Sequence, residues 1–412
     1  MANTHVFETK MSDRMQVTRY STPVYAMQAS FEERAKLVNG QSVTRPYVGR
    51  LYEQDYTRGS DMSMQTLAET NETLTVTTAK AVPFAIDDLD AIQSNFKLMS
   101  EYSGKAMRAL NKAVDADYLS EVANATSSVD AGDVGGTSGQ GITLDATNVL
   151  KAFAAANRKL ENLDVMIQGG LDPRIDSGNM KPMGGAGFAN LTPYMKEQLS
   201  YSLSGRESVD GALVGKNGYT SSYFGFDCFV TTNGYWTGTL GIATQPTDGD
   251  TVTINGVTFT FKTTIGSTAG NVLIGANPAA SNTNLAALIN APGTTTAQGV
   301  ALSTANQNLL KRISATAAST STAIVAKGYP FIVVSETLTA AADTWSLQIS
   351  HNMFGQKGAV DMVVQAKPQV KVDSIPLQIG NYVKPWVLYG KKTFVEGAAA
   401  LVDVKVSTSS WT

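Results

Sequence analysis

The segment IDDLDAIQSNFKLMSEYSGKAMRALNKAVDADYLSEVANA (residues 86–125) has the strongest helix pattern of the chain. Its apolar side chains recur at helical spacing, and its charged side chains fall on another face. Asp87, Asp88 and Asp90 stand at its start, where negative charge stabilises the helix dipole. About 35 residues in a helix predict a rod of roughly 50 Å, which we name the spine helix.

Two alternating segments before the spine helix predict a long two-stranded arm. Residues 43–58 and 72–78 alternate apolar and polar side chains, and a polar bend containing glycine and methionine separates them. A two-stranded ribbon is marginally stable alone in water, so the arm is expected to lie on a partner surface. This is the first indication of assembly.

The start of the chain is predicted to be extended, because residues 1–29 are polar and aperiodic. Ser30 and Glu33 have the spacing of a capping box, and Gly40 is a plausible end for the short helix that would follow.

The chain after the spine helix mixes helix and strand patterns. The elements predicted outside residues 241–350 are helices at 145–161, 192–203 and 353–365, a buried strand at 163–168, a strand pair within 221–234, and strands at 382–390 and 401–407.

Residues 241–350 differ in composition from the rest and contain only eight charged residues. TVTINGVTFTFK (residues 251–262) predicts a hairpin in which Asn255 and Gly256 occupy the positive-φ positions of a tight turn. Further strands and helices follow, including a helix that begins near Ser281 and another within 303–313. About 110 residues suffice for a separate core. The segment is therefore predicted to be a domain inserted into a host of the α+β class.

Composition and charge limit the possible functions. The 412 residues are 43% apolar and carry a net charge of −3, which gives no overall attraction to nucleic acid. The start of the chain has no signal-peptide core, and no apolar run approaches the ~18 residues of a membrane span. Folding in a cytoplasm is expected.

No residue pattern predicts catalysis. His5 and His351 are the only histidines, neither has a ligand neighbour at metal-site spacing, and no serine lies in a nucleophile-elbow motif. Cys228 lies in an apolar run and is expected to be a buried, inert thiol.

Other candidate sites have structural explanations. MGGAGFAN (residues 183–190) lacks the Lys-Ser/Thr of a phosphate-binding loop, and Asp248 and Asp250 suit a turn better than a calcium loop. No catalytic, cofactor or metal site is predicted, and the chain is not expected to be an enzyme.

The order of these elements resembles the major capsid (coat) protein of tailed bacteriophages, with the Hong Kong 97-type fold. VPFAIDDLDAIQSNF (82–96), SSYFGFDCFVTTNG (221–234) and VKPWVLYGKKTFVEGAAALVDVKV (383–406) resemble the local sequence of this family. Residues 241–350 resemble the inserted domain of short-tailed phage coat proteins.

The resemblance implies a division of the whole chain. The parts are an N-terminal arm with a short helix (1–42), an extended loop (43–80), a peripheral domain with the spine helix (81–144), an axial domain (145–240), the inserted β-rich domain (241–350), the axial domain continued (351–375) and the C-terminal strands of the peripheral domain (376–412).

The resemblance also implies self-assembly into hexamers and pentamers of an icosahedral phage head around double-stranded DNA, which is bound without sequence specificity. The extended loop would lie across a neighbouring subunit. The predicted inter-subunit contacts are Arg45, Arg50, Arg58, Tyr52 and Tyr56.

Further partners follow from the resemblance. The spine helix begins too early to leave room for a long N-terminal assembly domain, so a separate scaffolding protein is expected, with a portal protein and possible decoration proteins. The only lysine in residues 43–80 is Lys80, at the base of the loop, so no isopeptide crosslink is expected. Assembly would occur in the host bacterial cytoplasm and end in the virion capsid, without a membrane.

Two alternatives stay open at this stage. A phage tail or fibre-type structural protein could use residues 241–350 as an adhesive head, although it would not need a spine helix beside a two-stranded arm. A hydrolase with an accessory β-rich domain would require a carboxylate cleft.

Overall fold

The computed structural model describes residues 23–37, 40–49, 51–66, 69–87, 98–165, 167, 170–171, 182–183, 187–204, 222–374 and 380–409. Most of the predicted extended start of the chain and the first part of the spine helix lie outside these ranges. No helix within them is both long enough and apolar enough to cross a membrane.

The predicted mixture of helices and sheets is confirmed. Within the described residues the α-helices are α1 (Tyr25–Gln28), α2 (Leu98–Leu119), α3 (Ala131–Val134), α4 (Val149–Glu161), α5 (Pro193–Ser204), α6 (Pro278–Asn290), α7 (Thr304–Leu309) and α8 (Val395–Ala399). The strands are β1 (Ser42–Val48), β2 (Glu69–Thr75), β3 (Thr78–Ala81), β4 (Phe84–Asp87), β5 (Ser127–Val129), β6 (Gly170–Leu171), β7 (Pro182–Met183), β8 (Gly187–Leu191), β9 (Ser222–Tyr223), β10 (Phe226–Val230), β11 (Tyr235–Gly241), β12 (Thr251–Ile254), β13 (Val257–Lys262), β14 (Asn271–Leu273), β15 (Ile313–Ala317), β16 (Ser321–Lys327), β17 (Val334–Glu336), β18 (Trp345–Gln356), β19 (Asp361–Ser374), β20 (Gly380–Lys392) and β21 (Leu401–Ser407).

The largest sheet has the strand order β15-β16-β11-β18-β8-β10-β9. Along one edge, β18 pairs first with β11 and then, from Phe354 to Gln356, with β8. Along its other edge β18 pairs with β21, which in turn pairs with β5. Every strand of this sheet is therefore connected through β18.

An aromatic cluster fills the space between this sheet and α4. Phe153 of α4 lies with its ring centroid 4.9 Å from that of Phe354 and 6.4 Å from that of Phe226, and all three rings are fully buried. The alternating valines of β21 belong to the same core, as the pattern at 401–407 predicts.

The prediction of a helix at 353–365 is wrong. This segment contains the end of β18, a turn in which Gly358 has a φ of 89°, and the start of β19. Met362 and Val363 are both fully buried, so apolar side chains occupy both faces of the strand. Spacing alone cannot distinguish a strand buried on both faces from a buried helix.

The spine helix is confirmed only in part. Its described portion, α2, has 22 residues and is about 33 Å long. Ile86 and Asp87 lie in β4, where they pair with Asn381 and Gly380, so the helix does not begin at residue 86. Asp88 and Asp90 lie outside the described residues.

The two-stranded arm is confirmed, with β1 and β2 antiparallel from Ser42↔Thr75 to Val48↔Glu69. The first strand ends well before residue 58. Residues 25–28 form α1 instead of extended chain.

The predicted capping box is wrong, because the segment forms only a 3₁₀ turn at Glu32–Arg34. Glu33 does not turn back to the backbone of Ser30. Its carboxylate instead accepts a hydrogen bond from Arg45 of β1.

The strand predicted at 163–168 does not form in its described part. Leu163 and Asp164 lie in a turn, and Asp164 has a φ of 60°. The predicted strand pair within 221–234 is confirmed as β9 and β10.

The hairpin at 251–262 is confirmed as β12 and β13. Asn255 and Gly256 have φ angles of 51° and 79°, as a type I′ turn requires. The predicted helices of this segment form as α6 and α7, although α6 begins earlier than expected because Asn277 caps it.

A separate hydrophobic core lies under this hairpin. Its buried side chains belong to residues between Trp236 and Ile332. β11 and β18 continue across the predicted limits at 240/241 and 350/351, so the two segments share one sheet. The division into host and insertion stays a prediction.

Asp115 of α2 fixes the start of the described chain to the helix. Its carboxylate accepts hydrogen bonds from the backbone N–H groups of Val24 (2.7 Å) and Tyr25 (3.1 Å) and from Nδ2 of Asn233 (2.7 Å). Burial raises the pKa of Asp115, and these hydrogen bonds offset that rise only partly. Oδ1 of Asn233 is buried and has no hydrogen-bond partner among the described residues.

We predict that the free energy of unfolding of the Asp115→Asn variant increases, relative to that of the natural chain, as the pH rises. The folded-state pKa of Asp115 lies above its unfolded value of about 3.9, so the natural chain loses stability as the pH increases between the two values. The asparagine side chain has no charge to bury. If the Asn233 amide rotates, its Oδ1 can accept a hydrogen bond from the side-chain NH₂ of the new asparagine. Urea denaturation at pH 4 to 7 measures the difference in the free energy of unfolding.

The matched variant Asp115→Ala leaves the same donors without an acceptor. It should be less stable than the natural chain by about 2–4 kcal/mol at neutral pH. An Asn variant that loses stability relative to the natural chain over the same pH rise would contradict the assignment of a buried charge.

Candidate inter-subunit contact site

The arm tip, defined as residues 51–66 between β1 and β2, exposes several large apolar side chains. They are Leu51 (64% exposed), Tyr52 (70%), Tyr56 (63%), Met62 (64%) and Met64 (99%). Leu51, Tyr52, Met62 and Met64 line the same open groove. Single exposed apolar residues are ordinary, but a contiguous group marks an interaction surface.

Polar bonds hold the arm tip together. The N–H of Tyr52 donates to Oε1 of Gln65 (3.0 Å), and Oγ of Ser63 donates to Oε1 of Gln54 (3.2 Å). At the far end the chain reverses at Gly59, which has a φ of 86°. The tip therefore has a defined shape while its apolar side chains stay in solvent.

Two of the predicted contact residues, Tyr52 and Tyr56, are exposed on the arm tip, and Arg58 is exposed at its turn. Arg50 lies outside the described residues. The role of these residues at a subunit contact stays a prediction.

The sequence interpretation missed Leu51, Met62 and Met64. The methionines stand in the polar stretch SDMSMQ, where no period marks them as members of a face. Two methionines in a stretch with no core to join were the available signal, since methionine suits adaptable binding surfaces.

Arg45, also a predicted inter-subunit contact, is paired within its own chain, and its contact with a neighbouring subunit stays a prediction. Its Nη2 lies 2.8 Å from Oε1 of Glu33, and its Nη1 lies 3.3 Å from Oδ2 of Asp361. The guanidinium carbon lies 4.4 Å from the ring centroid of Phe394. Both carboxylate side chains are less than a tenth exposed, so Arg45 neutralises two buried charges.

Arg45 lowers the pKa of both carboxyls, but the net result differs between them. Burial raises the pKa of Glu33, but hydrogen bonds from Arg45 and Lys36 lower it more, and the net pKa is below the ordinary value. Burial also raises the pKa of Asp361, and there a hydrogen bond with Ser30 and the charge of Arg45 offset only part of the rise. Arg45 thus ties the base of the arm to β19.

A second buried network ties the base of the arm to α2. Nζ of Lys80 on β3 lies 2.5 Å from Oδ2 of Asp117, which also accepts the hydroxyl of Tyr389. Nζ of Lys391 lies 2.9 Å from Oε1 of Glu121. Burial raises the pKa of Asp117, but the hydrogen bonds from Lys80 and Tyr389 outweigh it, and the net pKa is lowered.

His351 lies in a row of hydrogen bonds across three strands. Its Nδ1 lies 2.8 Å from Oδ2 of Asp403, and its Nε2 lies 2.8 Å from Oγ1 of Thr237. The strand pairing places Tyr235 opposite His351, with ring centroids 5.1 Å apart. These contacts connect β11, β18 and β21, which the sequence could not place together.

The remaining chemical candidates make structural contacts. Burial, followed by the charge of Asp227, raises the pKa of Cys228 to about 12, which disfavours the reactive thiolate. Asp250 accepts a hydrogen bond from Thr247, which closes its own turn, and another from Thr339, which ties that turn to a distant segment of the chain. Across the described part of the chain, His, Cys, Asp and Glu do not form a group of three or more that could hold a metal ion.

Comparisons with known proteins identify the fold. No family model matches the sequence. No curated protein matches it either. A solved structure of Mycobacterium phage Che8 matches with a TM-score of 0.57 at 13% identity, over 98% of each chain. The capsid structure of the cyanophage P-SCSP1u matches at 0.52 and 11%, over 98% of this chain and 94% of that one.

The acidic stable capsid structure of the Helicobacter pylori bacteriophage KHP30 also matches, with a TM-score of 0.51 at 10% identity, over 98% of this chain and 96% of that one. The chain has the fold of phage capsid proteins. The matches span nearly the whole chain.

We predict that Arg45→Ala destabilises the subunit by about 2–3 kcal/mol, because it leaves two buried carboxylates without their shared partner. The estimate is below that for a fully buried pair, since Lys36 still pairs with Glu33. The urea midpoint of the unassembled subunit, compared at constant m-value, measures the change.

Arg58→Ala is the matched control, because Arg58 lies on the exposed turn of the arm tip. It should change stability by less than about 0.5 kcal/mol. Equal effects of the two substitutions would contradict the assignment of Arg45 to an intra-subunit role.

Proposed function

We propose that this chain is the major capsid protein of a tailed bacteriophage, with the Hong Kong 97-type fold. It would assemble into hexamers and pentamers of an icosahedral head that encloses double-stranded DNA. The exposed apolar arm tip is the observation that carries the proposal. Together with the phage capsid fold, it favours a structural role in the shell over an enzymatic one.

The arm tip would lie on a neighbouring copy and bury its apolar side chains there. Full burial of a methionine-sized side chain contributes about 1.5–3 kcal/mol relative to exposure, so several together can drive association. Each subunit would offer its tip to the next one, and such head-to-tail contacts close into rings when the rotation allows it. Tyr52 and Tyr56 supply large contact areas at a low cost in side-chain entropy.

Other partners belong to the proposal as well. A separate scaffolding protein would direct assembly in the host bacterial cytoplasm, and a portal protein would occupy one vertex. Decoration proteins could bind outside the shell. The net charge of −3 favours enclosure of DNA without tight or sequence-specific binding.

The segment 241–350 would be an inserted domain of the kind found in short-tailed phage coat proteins. Support comes from its separate core, in which Trp236 and Leu240 of β11 are fully buried with residues of the hairpin. The core thus reaches beyond residue 241, and a working domain would need all of β11 and β18.

We predict that a fragment spanning residues 232–356 folds alone, with dispersed amide NMR signals and one cooperative thermal transition. A fragment spanning 241–350 is the matched comparison. It lacks Trp236 and truncates both shared strands, so it should melt at a lower temperature or not fold. A random-coil spectrum for the longer fragment would refute an autonomous insertion.

We predict that the double variant Tyr52→Asp/Met64→Asp stops shell formation without unfolding the subunit. Charges on the arm tip cannot be buried against a neighbour without a large desolvation cost. Negative-stain electron microscopy, with and without the scaffolding protein encoded nearby, should show closed shells for the natural chain only.

Tyr201→Asp is the control, because Tyr201 of α5 is 60% exposed but lies far from the arm in sequence. It should assemble as the natural chain does, and the melting temperatures of all three proteins should agree. Tubes or spikes formed by the natural chain would instead favour a tail or fibre role, and shells formed by the double variant would exclude the arm tip as the contact.

A further inference from the structure

Three cationic residues lie where α2 meets the β15–β16 strand pair. We call Lys112, Arg312 and Lys327 the cation cluster. All three are half-buried. Within the described residues, none of them has a carboxylate at ion-pair distance.

The backbone brings the three residues close to one another. The N–H of Lys327 donates to the carbonyl of Arg312 (3.0 Å). The next residue, Gly328, packs on α2 so closely that a β-carbon there would lie 3.0 Å from Cβ of Ala116 and 3.1 Å from Nη1 of Arg312. The Arg312 guanidinium therefore lies beside α2, and Lys112 stands one helical turn before Ala116.

Asp117 and Glu121, the carboxylates that act on Lys327, already have lysine partners. Asp117 is paired with Lys80, and Glu121 is paired with Lys391. These two acids and two lysines balance one another. The positive charge of the cation cluster is additional to that balanced network.

In two of the cluster's residues, burial and neighbouring cations together outweigh the attraction of nearby carboxylates. Burial, and after it the charge of Arg312, lowers the pKa of Lys112. Burial, and after it the charge of Lys391, lowers the pKa of Lys327, and the charges of Asp117 and Glu121 offset only part of that fall. Arg312 has an aromatic neighbour, with its guanidinium carbon 6.0 Å from the ring centroid of Tyr329, but a ring does not neutralise its charge. Half-buried cations without an ion-pair partner among the described residues cost free energy that an anion would recover.

The backbone of Arg312 is strained as well. Its φ of 67° is in the left-handed region, which side chains other than glycine, asparagine and aspartate rarely adopt. Strain of this kind persists where the surrounding structure holds a residue in place, and it concentrates at binding sites. Here it directs a guanidinium toward Gly328 and α2.

We propose that the cation cluster is a binding site for a phosphate group. A phosphate carries up to two negative charges and several acceptor oxygens, which suits three cations better than the single charge of a carboxylate. Arg312 offers the planar fork that binds phosphate through two parallel hydrogen bonds, while Lys112 and Lys327 supply point charges. This proposal is independent of the shell proposal and fails or succeeds separately from it.

The test compares the full-length natural chain with Arg312→Asn. Asparagine tolerates the left-handed conformation, so the variant keeps the turn and loses the guanidinium. Without phosphate, the variant should melt at the same or a higher temperature than the natural chain. With inorganic phosphate, the natural chain should gain melting temperature, and the half-effect concentration should rise about tenfold or more in the variant.

Lys311→Gln is the matched control, because Lys311 is the exposed neighbour of Arg312. It should respond to phosphate as the natural chain does, and sodium chloride at equal ionic strength should give no comparable shift. The proposal is overturned if phosphate acts no better than chloride, or if Arg312→Asn responds as the natural chain does.

A short DNA oligonucleotide then identifies the source of the phosphate. Displacement of bound phosphate by the oligonucleotide, lost in Arg312→Asn, assigns the site to a nucleic-acid backbone. Phosphate binding without oligonucleotide binding assigns it to a free phosphate. If neither binds and Arg312→Asn alters only the assembly of the chain, the counter-charge is an acidic side chain of a second copy, and the phosphate assignment is wrong.

Discussion

The hydrogen bonds of β18 are the constraint on which the rest of the structure depends. This one strand pairs with β11 and β8 along one edge and with β21 along the other. Because β11 leads into the hairpin segment and β8 and β21 cover α4, both hydrophobic cores rest on the same strand. A shift of β18 by one residue would turn the side chains of both cores to the opposite face. The register of this strand therefore has to satisfy two packing problems together.

Local patterns predicted the elements whose conformation is set by neighbouring residues. The Asn255-Gly256 turn, helix α4 and the alternating strand β21 all formed where expected. The failures arose where distant residues decide the outcome. Residues 353–365 have apolar side chains on both faces because β19 packs on both sides. Glu33 does not cap a helix because its carboxylate accepts a hydrogen bond from Arg45 of β1. Spacing along the chain contains neither fact.

The candidate site shows the same division. The sequence placed aromatic residues on an arm, and the structure exposes Tyr52 and Tyr56 there. It could not distinguish the paired Arg45 from the exposed Arg58, because Asp361, one of the two partners of Arg45, is 316 residues away. The cation cluster was equally hidden, since Lys112 and Arg312 become neighbours only when α2 meets the strand pair. The position of a charged residue in the sequence does not indicate whether the fold places a residue of opposite charge beside it.

The two surfaces proposed to bind partners would bind them for different physical reasons. The arm tip exposes apolar area, so its proposed association with a second surface would be driven by release of water, which salt does not screen. The cation cluster holds charge without apolar area, and its attraction for an anion weakens as ionic strength rises. High salt would therefore preserve contacts made by the arm tip while emptying the cluster. Assembly and anion binding can thus be separated by solution conditions alone, even though α2 and the base of the arm are linked by Lys80 and Asp117.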